Sequence, residues 1–236
     1  MNAAPHDHPY PGRLHRVYVA LTNHCNRACP WCSTWSSPAG RTWIAWEQLA
    51  ASLPTDGPYE VQLEGGEPTV HPEFWDFAGR LRADPCCRKL ILCTNGVAMP
   101  RRPDKLRDWL ARLGAPLLVK LSLNHHLIEH DAGLLALASA VEVALGELGG
   151  ERQVVYNVRL RRGYADDDRA VANAVADAGL GPRANVFFLQ RYGMASEETD
   201  WDAPFLAGHN FRMVNPDGTV FGPDLVARSE ALGRLP

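Results

Sequence analysis

Cys25, Cys29 and Cys32 stand in one short run, Cys25-Asn26-Arg27-Ala28-Cys29-Pro30-Trp31-Cys32. Gaps of three and two residues let a single loop wrap three thiolates around one set of irons. Iron–sulfur clusters are held by cysteine thiolates, and a cubane [4Fe–4S] cluster has four irons. Three cysteines therefore leave one iron open to bind and activate another molecule. The rival reading is a structural zinc site with His24 as fourth ligand. Such sites usually pair two ligand clusters across a longer loop. No second cluster is placed to complete one: Cys86 and Cys87 are adjacent, and Cys93 sits mid-strand, where it reads as core. Further along comes Glu64-Gly65-Gly66-Glu67-Pro68, at the end of a strand-like run. Glycines there let backbone approach a ligand closely, and exposed polar groups can receive an ammonium.

These segments need elements to hold them. Strand-like runs cover Val17–Thr22, Tyr59–Glu64, Lys89–Thr94, Leu117–Asn124, Gln153–Arg161 and Ala184–Gln190. Between them apolar residues recur at helical spacing, as in Trp46/Leu49/Ala50/Leu53, Phe74/Phe77/Ala78/Leu81 and Leu106/Trp109/Leu110/Leu113. Leu134/Leu137/Ala138/Val141/Leu145 and Val171/Ala174/Val175/Ala178 continue the pattern, with Gly114, Gly149, Gly150 and Gly179 where helices should stop. Alternating β and α units predict an α/β fold with a parallel sheet, and the length accommodates six units. A parallel strand buried on both faces reads as one apolar run. Here Lys120, Ser122 and Asn124 share one face opposite Val119, Leu121 and Leu123. Asn157 and Arg159 likewise oppose Tyr156 and Val158, and Gln62 and Glu64 oppose Val61 and Leu63. That pattern predicts a partial (β/α)6 TIM-like barrel with a wet inner chamber. Past Asn210, Phe211–Val214 and Thr219–Phe221 flank Asn215-Pro216-Asp217-Gly218, a type I turn signature, so a C-terminal β-hairpin is expected. The expected organisation is a tail over 1–12, the barrel over 13–205 and a hairpin extension over 206–236.

Together the two motifs resemble the radical S-adenosylmethionine (radical SAM) superfamily, over about Val17 to Gln190. The resemblance implies that Cys25, Cys29 and Cys32 ligate a [4Fe–4S] cluster. It implies that Trp31 is the aromatic beside the adenine of S-adenosylmethionine (SAM), and that Gly65, Gly66, Glu67 and Pro68 meet the methionine amino group. Ser122 and Asn124 stand where relatives put polar groups toward the ribose. Arg159, with Asn157 on the same face, fits the cofactor's carboxylate, Gln190 the adenine end, and Asn95-Gly96 the turn after the third strand. The implied activity is reductive cleavage of SAM to methionine and a 5′-deoxyadenosyl radical, which abstracts hydrogen from a substrate. An electron donor such as flavodoxin or ferredoxin follows from that activity. Relatives with C-terminal extensions often carry auxiliary-cluster cysteines; no cysteine follows Cys93, so the tail holds no such cluster. The hairpin is expected to cap the chamber instead.

The substrate is less legible. His125, His126 and His130 follow the fourth strand, and Arg191 and Tyr192 the sixth, where βα loops gather and could touch substrate. The small size also resembles glycyl-radical-activating enzymes and deazapurine-carboxylate synthases. Extra ferredoxin-like cysteines are missing for the first. Ser33-Thr34 stands where the second favours Asp-Thr. A tailoring enzyme acting on a small molecule or peptide in natural-product biosynthesis is the favoured reading. A non-catalytic zinc or cluster module is the alternative of another class.

The bulk numbers narrow the partners. At 236 residues and 46% hydrophobic composition the chain can bury one sizeable core. A net charge of −3 gives no reason to expect nucleic acid or an anionic membrane as partner. No apolar run is long enough for a transmembrane helix. The Pro- and His-rich start, with His6 and His8, has no apolar signal-peptide region. A cytoplasmic location is expected, where six cysteines are ligands or buried thiols rather than disulfides.

Overall fold

The computed structural model describes residues 14–161, 164–195 and 210–236. The expected tail over 1–12 and the expected boundary at 205/206 lie outside the described residues.

Six parallel strands alternate with helices in chain order: β1 (His15–Ala20), α1 (Trp46–Ser52), β2 (Tyr59–Glu64), α2 (Phe74–Ala83), β3 (Cys87–Thr94), α3 (Pro103–Arg112) and β4 (Leu117–Leu123). Then follow α4 (His125–His130), α5 (Leu134–Leu148), β5 (Arg152–Leu160), α6 (Ala165–Asp177) and β6 (Ala184–Phe188). The chain closes with β7 (Asn210–Val214), β8 (Val220–Phe221) and α7 (Leu225–Leu232). The sheet order is β6-β5-β4-β3-β2-β1-β7-β8. Its two ends are not joined among the described residues, so the barrel is partial.

The alternation in the strands becomes two different faces. On β4, Leu117, Val119, Leu121 and Leu123 are buried while Leu118, Lys120 and Ser122 are only half-buried. The buried set joins Val17, Val19, Val61, Leu63, Leu90, Leu92 and Val158 against Leu49, Phe77, Leu81, Leu106, Leu110, Leu137 and Val141 of the helices. Each fully buried aliphatic side chain contributes about 1.5–3 kcal/mol relative to exposure. The helices thus clamp the outer face, and the polar face is left to line a chamber.

The hairpin forms, with Met213 opposite Phe221 and Val214 opposite Val220. Its turn closes through Gly218 N–H to the Asn215 carbonyl at 2.9 Å, with Gly218 at φ +83°. The sequence pattern did not indicate that β7 also runs parallel to β1, Val17 beside Arg212 and Val19 beside Val214. The hairpin's first strand is therefore a seventh parallel strand of the sheet. It brings α7 round to the chamber.

Candidate active site

The cysteine run leaves the end of β1 and is locked onto the segment that leaves β2. Gly66 N–H donates to the Thr22 carbonyl at 2.7 Å, and Glu67 N–H to the His24 carbonyl at 3.0 Å. A Cβ on Gly66 would stand 1.9 Å from the His24 carbonyl oxygen, and one on Gly65 (φ +128°) 2.5 Å from that of Thr22. The glycines were expected to let backbone approach a ligand. Here they first let backbone approach the cysteine loop, and both also line the chamber. From the other side the turn after β6 presses in. Gly193, at φ +66°, faces Ser33 Cα, where a Cβ would fall at 2.5 Å, and Met194 N–H donates to the Cys32 carbonyl at 2.9 Å.

Glu67 works behind this junction. Its side chain is wholly buried, and one carboxylate oxygen accepts from Thr69 Oγ1 at 2.5 Å and Thr94 Oγ1 at 2.8 Å. The other accepts from Asn95 N–H at 2.8 Å. The carboxylate thereby fastens the ends of β2 and β3 together. Asn95 in turn donates from Nδ2 to Asn26 Oδ1 at 2.8 Å and to Cys25 Sγ at 3.6 Å. Ser36 N–H lies 3.4 Å from Cys32 Sγ. Hydrogen bonds to sulfur are among the groups that tune a cluster's potential. Burial pushes the Cys25 thiol up to about 12 and the Cys29 thiol up to about 11. Burial thus holds these thiols in the protonated form, and ligation of a metal requires the thiolate.

The loop, Gly65 and Gly66 form one rim of a cavity of about 430 Å³ at the carboxyl ends of the strands. Of the predicted residues, Cys25, Cys29, Trp31, Cys32, Gly65, Gly66, Asn95, Ser122, Asn124, Asn157 and Arg159 all line it. Glu67 and Pro68 do not; they stand behind it. Gln190 lines a much smaller adjoining pocket, together with Trp31 and Arg159. Asn124 also caps α4, its Oδ1 accepting from Leu127 N–H at 2.9 Å. Trp31 is buried, with the Arg161 guanidinium 4.4 Å over its ring and its Nε1 without a hydrogen-bond partner. Of the loop residues suggested for substrate, Tyr192 lines the cavity, whereas His125, His126, His130 and Arg191 do not. Cys93 was read as core; it is half-buried and faces the chamber.

Further lining residues were not predicted as site residues. Tyr18, Gln62, Glu64 and Lys120 point inward from β1, β2 and β4. Alternation had put the last three on the polar face, and that was the available signal. Leu225, Arg228, Ser229 and Leu232 come from α7, and no local pattern announces them. The expected hairpin cap is thus replaced at the cavity wall by the helix that follows the hairpin. Ser229 Oγ donates to the Ser33 carbonyl at 3.0 Å, tying α7 to the cysteine loop.

His24, the fourth ligand of the zinc alternative, is not among the residues that line the cavity. His24 Nδ1 lies 3.2 Å from the Gly40 carbonyl, and its ring packs 5.4 Å from that of Trp43, away from the cavity. Among the described residues no three His, Cys, Asp or Glu side chains converge as one metal ion requires. With Zn–S bonds of about 2.3 Å, tetrahedral thiolates stand only about 3.8 Å apart.

The sequence profile of the radical SAM superfamily matches residues 19–180, more than half of the chain. A mitochondrial GTP 3′,8-cyclase of Arabidopsis thaliana is 24% identical over 169 residues, covering 66% of this chain and 42% of that protein. The GTP 3′,8-cyclase of Chlorobaculum tepidum is 29% identical over 93 residues, 38% of this chain and 28% of its own. The chain therefore spans less than half the length of these two relatives. Among solved structures, Streptococcus suis SuiB bound to the precursor peptide SuiA superposes with a TM-score of 0.61 at 11% identity. That match covers 93% of this chain and 60% of SuiB, and shows the shared fold. Motif, cavity, sheet topology and profile agree, and the chain belongs to the radical SAM superfamily of enzymes.

Proposed function

We propose that this protein cleaves SAM reductively in the cavity and directs the resulting radical at a small-molecule or peptide substrate, in a biosynthetic tailoring reaction. One observation carries the reading. Three thiols and the Gly65-Gly66 backbone meet at one rim of a cavity whose walls include the polar strand residues Gln62, Glu64, Lys120, Ser122, Asn157 and Arg159. Cys25, Cys29 and Cys32 would hold a [4Fe–4S] cluster with one iron left for SAM. When bound and reduced by a flavodoxin- or ferredoxin-type donor, the cluster supplies the electron that breaks SAM into methionine and a 5′-deoxyadenosyl radical.

The chain's own residues bind, orient and shield. Gly65 and Gly66 offer backbone to the methionine ammonium, Arg159 a guanidinium to its carboxylate, and Ser122 and Asn124 polar groups to the ribose. Trp31 supplies a ring face and a buried, unpartnered Nε1–H to the adenine end, near Gln190. Asn95 holds Cys25 Sγ through its amide. Leu127, Phe187 and Leu232 give the cavity apolar stretches that exclude water, which protects a reactive radical from quenching. GTP is named in the relatives and a precursor peptide in the fold neighbour, so both substrate classes remain in the reading.

The test is anaerobic reconstitution followed by metal analysis and incubation with SAM and reductant. About four irons and four sulfides per chain are expected, with 5′-deoxyadenosine formed. Cys29→Ala should lose the brown chromophore and all SAM cleavage. One zinc per chain, or 5′-deoxyadenosine still made by Cys29→Ala, would overturn the proposal.

A further inference from the structure

α7 lies outside residues 19–180, yet it places a charged side chain in the cavity wall. Arg228 is 4% exposed. Its Nη1 donates to Glu64 Oε1 at 2.5 Å, and its Nε to Asn215 Oδ1 at 3.1 Å. Its Nη2 is shielded from water and makes no hydrogen bond. Glu64 Oε2 accepts from Gln62 Nε2, and Gln62 Oε1 accepts from Lys120 Nζ at 2.7 Å. Arg228, Glu64, Gln62 and Lys120 all line the cavity, so one hydrogen-bonded chain runs across it from α7 over β2 to β4.

The inventory of that chain is one-sided. Each of its acceptors, two carboxylate oxygens and one amide oxygen, already takes a donor from within the chain. Donors remain: Arg228 Nη2 and the other ammonium protons of Lys120. Two cations stand against one carboxylate. A shielded guanidinium nitrogen without an acceptor is destabilising, and natural structures supply such groups with a partner. Surplus positive charge in a partly enclosed cavity favours a ligand that brings negative charge.

We propose that Arg228 and Lys120 form the subsite for an anionic oxygen group, carboxylate or phosphate, on the substrate. The proposal rests on the cavity being the reaction chamber. It assigns Arg228 as a specificity-determining residue, since a fixed guanidinium with one nitrogen still unpaired favours an oxyanion over a neutral group of the same shape. Glu64 and Gln62 are positioning residues that hold the two cations apart.

The test needs neither turnover nor a known substrate. Thermal unfolding of the full chain as purified is followed against acetate, inorganic phosphate and neutral acetamide, with chloride holding ionic strength constant. A ligand that binds only the folded state raises the midpoint. At least one oxyanion should raise it in a saturable way while acetamide and chloride do not. Saturation by acetate identifies a carboxylate subsite, and saturation by phosphate alone a phosphate subsite. Arg228→Gln should weaken half-saturation at least about tenfold, the loss of one charged hydrogen bond, with Arg228→Lys recovering part of it. Should the Arg228 variants fold poorly, Lys120→Gln is expected to weaken binding in the same direction. No saturable oxyanion effect, an equal effect of acetamide, or unchanged half-saturation in the variants would overturn the proposal. The titration is repeated on reconstituted protein saturated with S-adenosylhomocysteine. Retained oxyanion binding supports a substrate subsite, whereas competition would assign Arg228 to the cofactor and overturn it. Because unfolding is read without SAM cleavage, this test can fail while 5′-deoxyadenosine is still formed, and the reverse.

Discussion

Gly66→Ala is the sharpest single perturbation of the junction on which the site depends. The new Cβ would fall 1.9 Å from the His24 carbonyl oxygen, 2.5 Å from its carbon and 3.0 Å from Cys25 N. All three neighbours are backbone, so no side chain can swing away. Restoring an ordinary contact of about 3.4 Å requires the two backbones to part by about 1.5 Å, which carries both hydrogen bonds of the junction beyond bonding range. Those are Gly66 N–H to Thr22 and Glu67 N–H to His24. At about 1 kcal/mol each, with the groups left partly shielded, the loss is about 2–4 kcal/mol. The same movement displaces the start of the cysteine loop. Gly79→Ala is the matched control: Gly79 is exposed in α2 and a Cβ there meets nothing within 4 Å. It should gain about 0.5–1 kcal/mol from helix propensity. The assay pairs urea unfolding of the cluster-free chain with iron and sulfide content after anaerobic reconstitution. Gly66→Ala should fall in both and Gly79→Ala in neither. A Gly66→Ala protein with unchanged midpoint and full iron content would refute the close-approach argument.

Three further outcomes follow from other parts of the structure. Burial raises the Glu67 pKa above the ordinary 4.5, against the pull of its Thr69, Thr94 and Asn95 hydrogen bonds. The folded state then keeps a proton that the unfolded chain releases. Its contribution is full below about pH 4.5 and is lost as pH rises through the folded value. Urea midpoints of wild type should therefore carry a downward component above pH 4.5 that Glu67→Gln lacks; parallel pH profiles would contradict this. Removing residues 210–236 strips β7 from β1 and uncovers Val17 and Val19, both fully buried. The truncated chain should lose cooperative unfolding altogether, and a stable truncated protein with intact turnover would show that β7 and α7 are accessories. Tyr156→Phe removes a buried hydroxyl that donates to the Ala138 carbonyl at 3.1 Å and contacts Glu142 Oε2 at 3.0 Å. It should cost about 0.5–1.5 kcal/mol in a urea melt with the iron content unchanged; a cost above that range, or lost iron, would link this remote bond to the site.

Much of the site is local, and what is local is legible. The cysteine spacing lies within one loop, and the Gly65-Gly66 step follows one strand. Period-two alternation tells which side chains of β2, β4 and β5 face inward before any partner is known. That is why Ser122, Asn124, Asn157, Arg159, Gln62, Glu64 and Lys120 could all be placed on the wet face, while the resemblance to the radical SAM superfamily singled out Ser122, Asn124 and Arg159 for the cofactor. Alternation does not say which inward residue meets a ligand and which meets another side chain. Glu67 illustrates the gap: its neighbours in sequence suggest a ligand, while Thr94 and Asn95, far along the chain, claim its carboxylate.

The sequence alone determined the periods of the elements, the parallel sheet with one polar face, and the spacing of the three thiols, because each depends on residues a few positions apart. Tertiary structure decided what depends on distant segments meeting. β7 lies against β1, Gly193 presses on Ser33, and α7 carries Arg228 to Glu64 across 164 positions of chain. No short-range pattern encodes such a pairing, because it forms only when the sheet has brought both ends to one place.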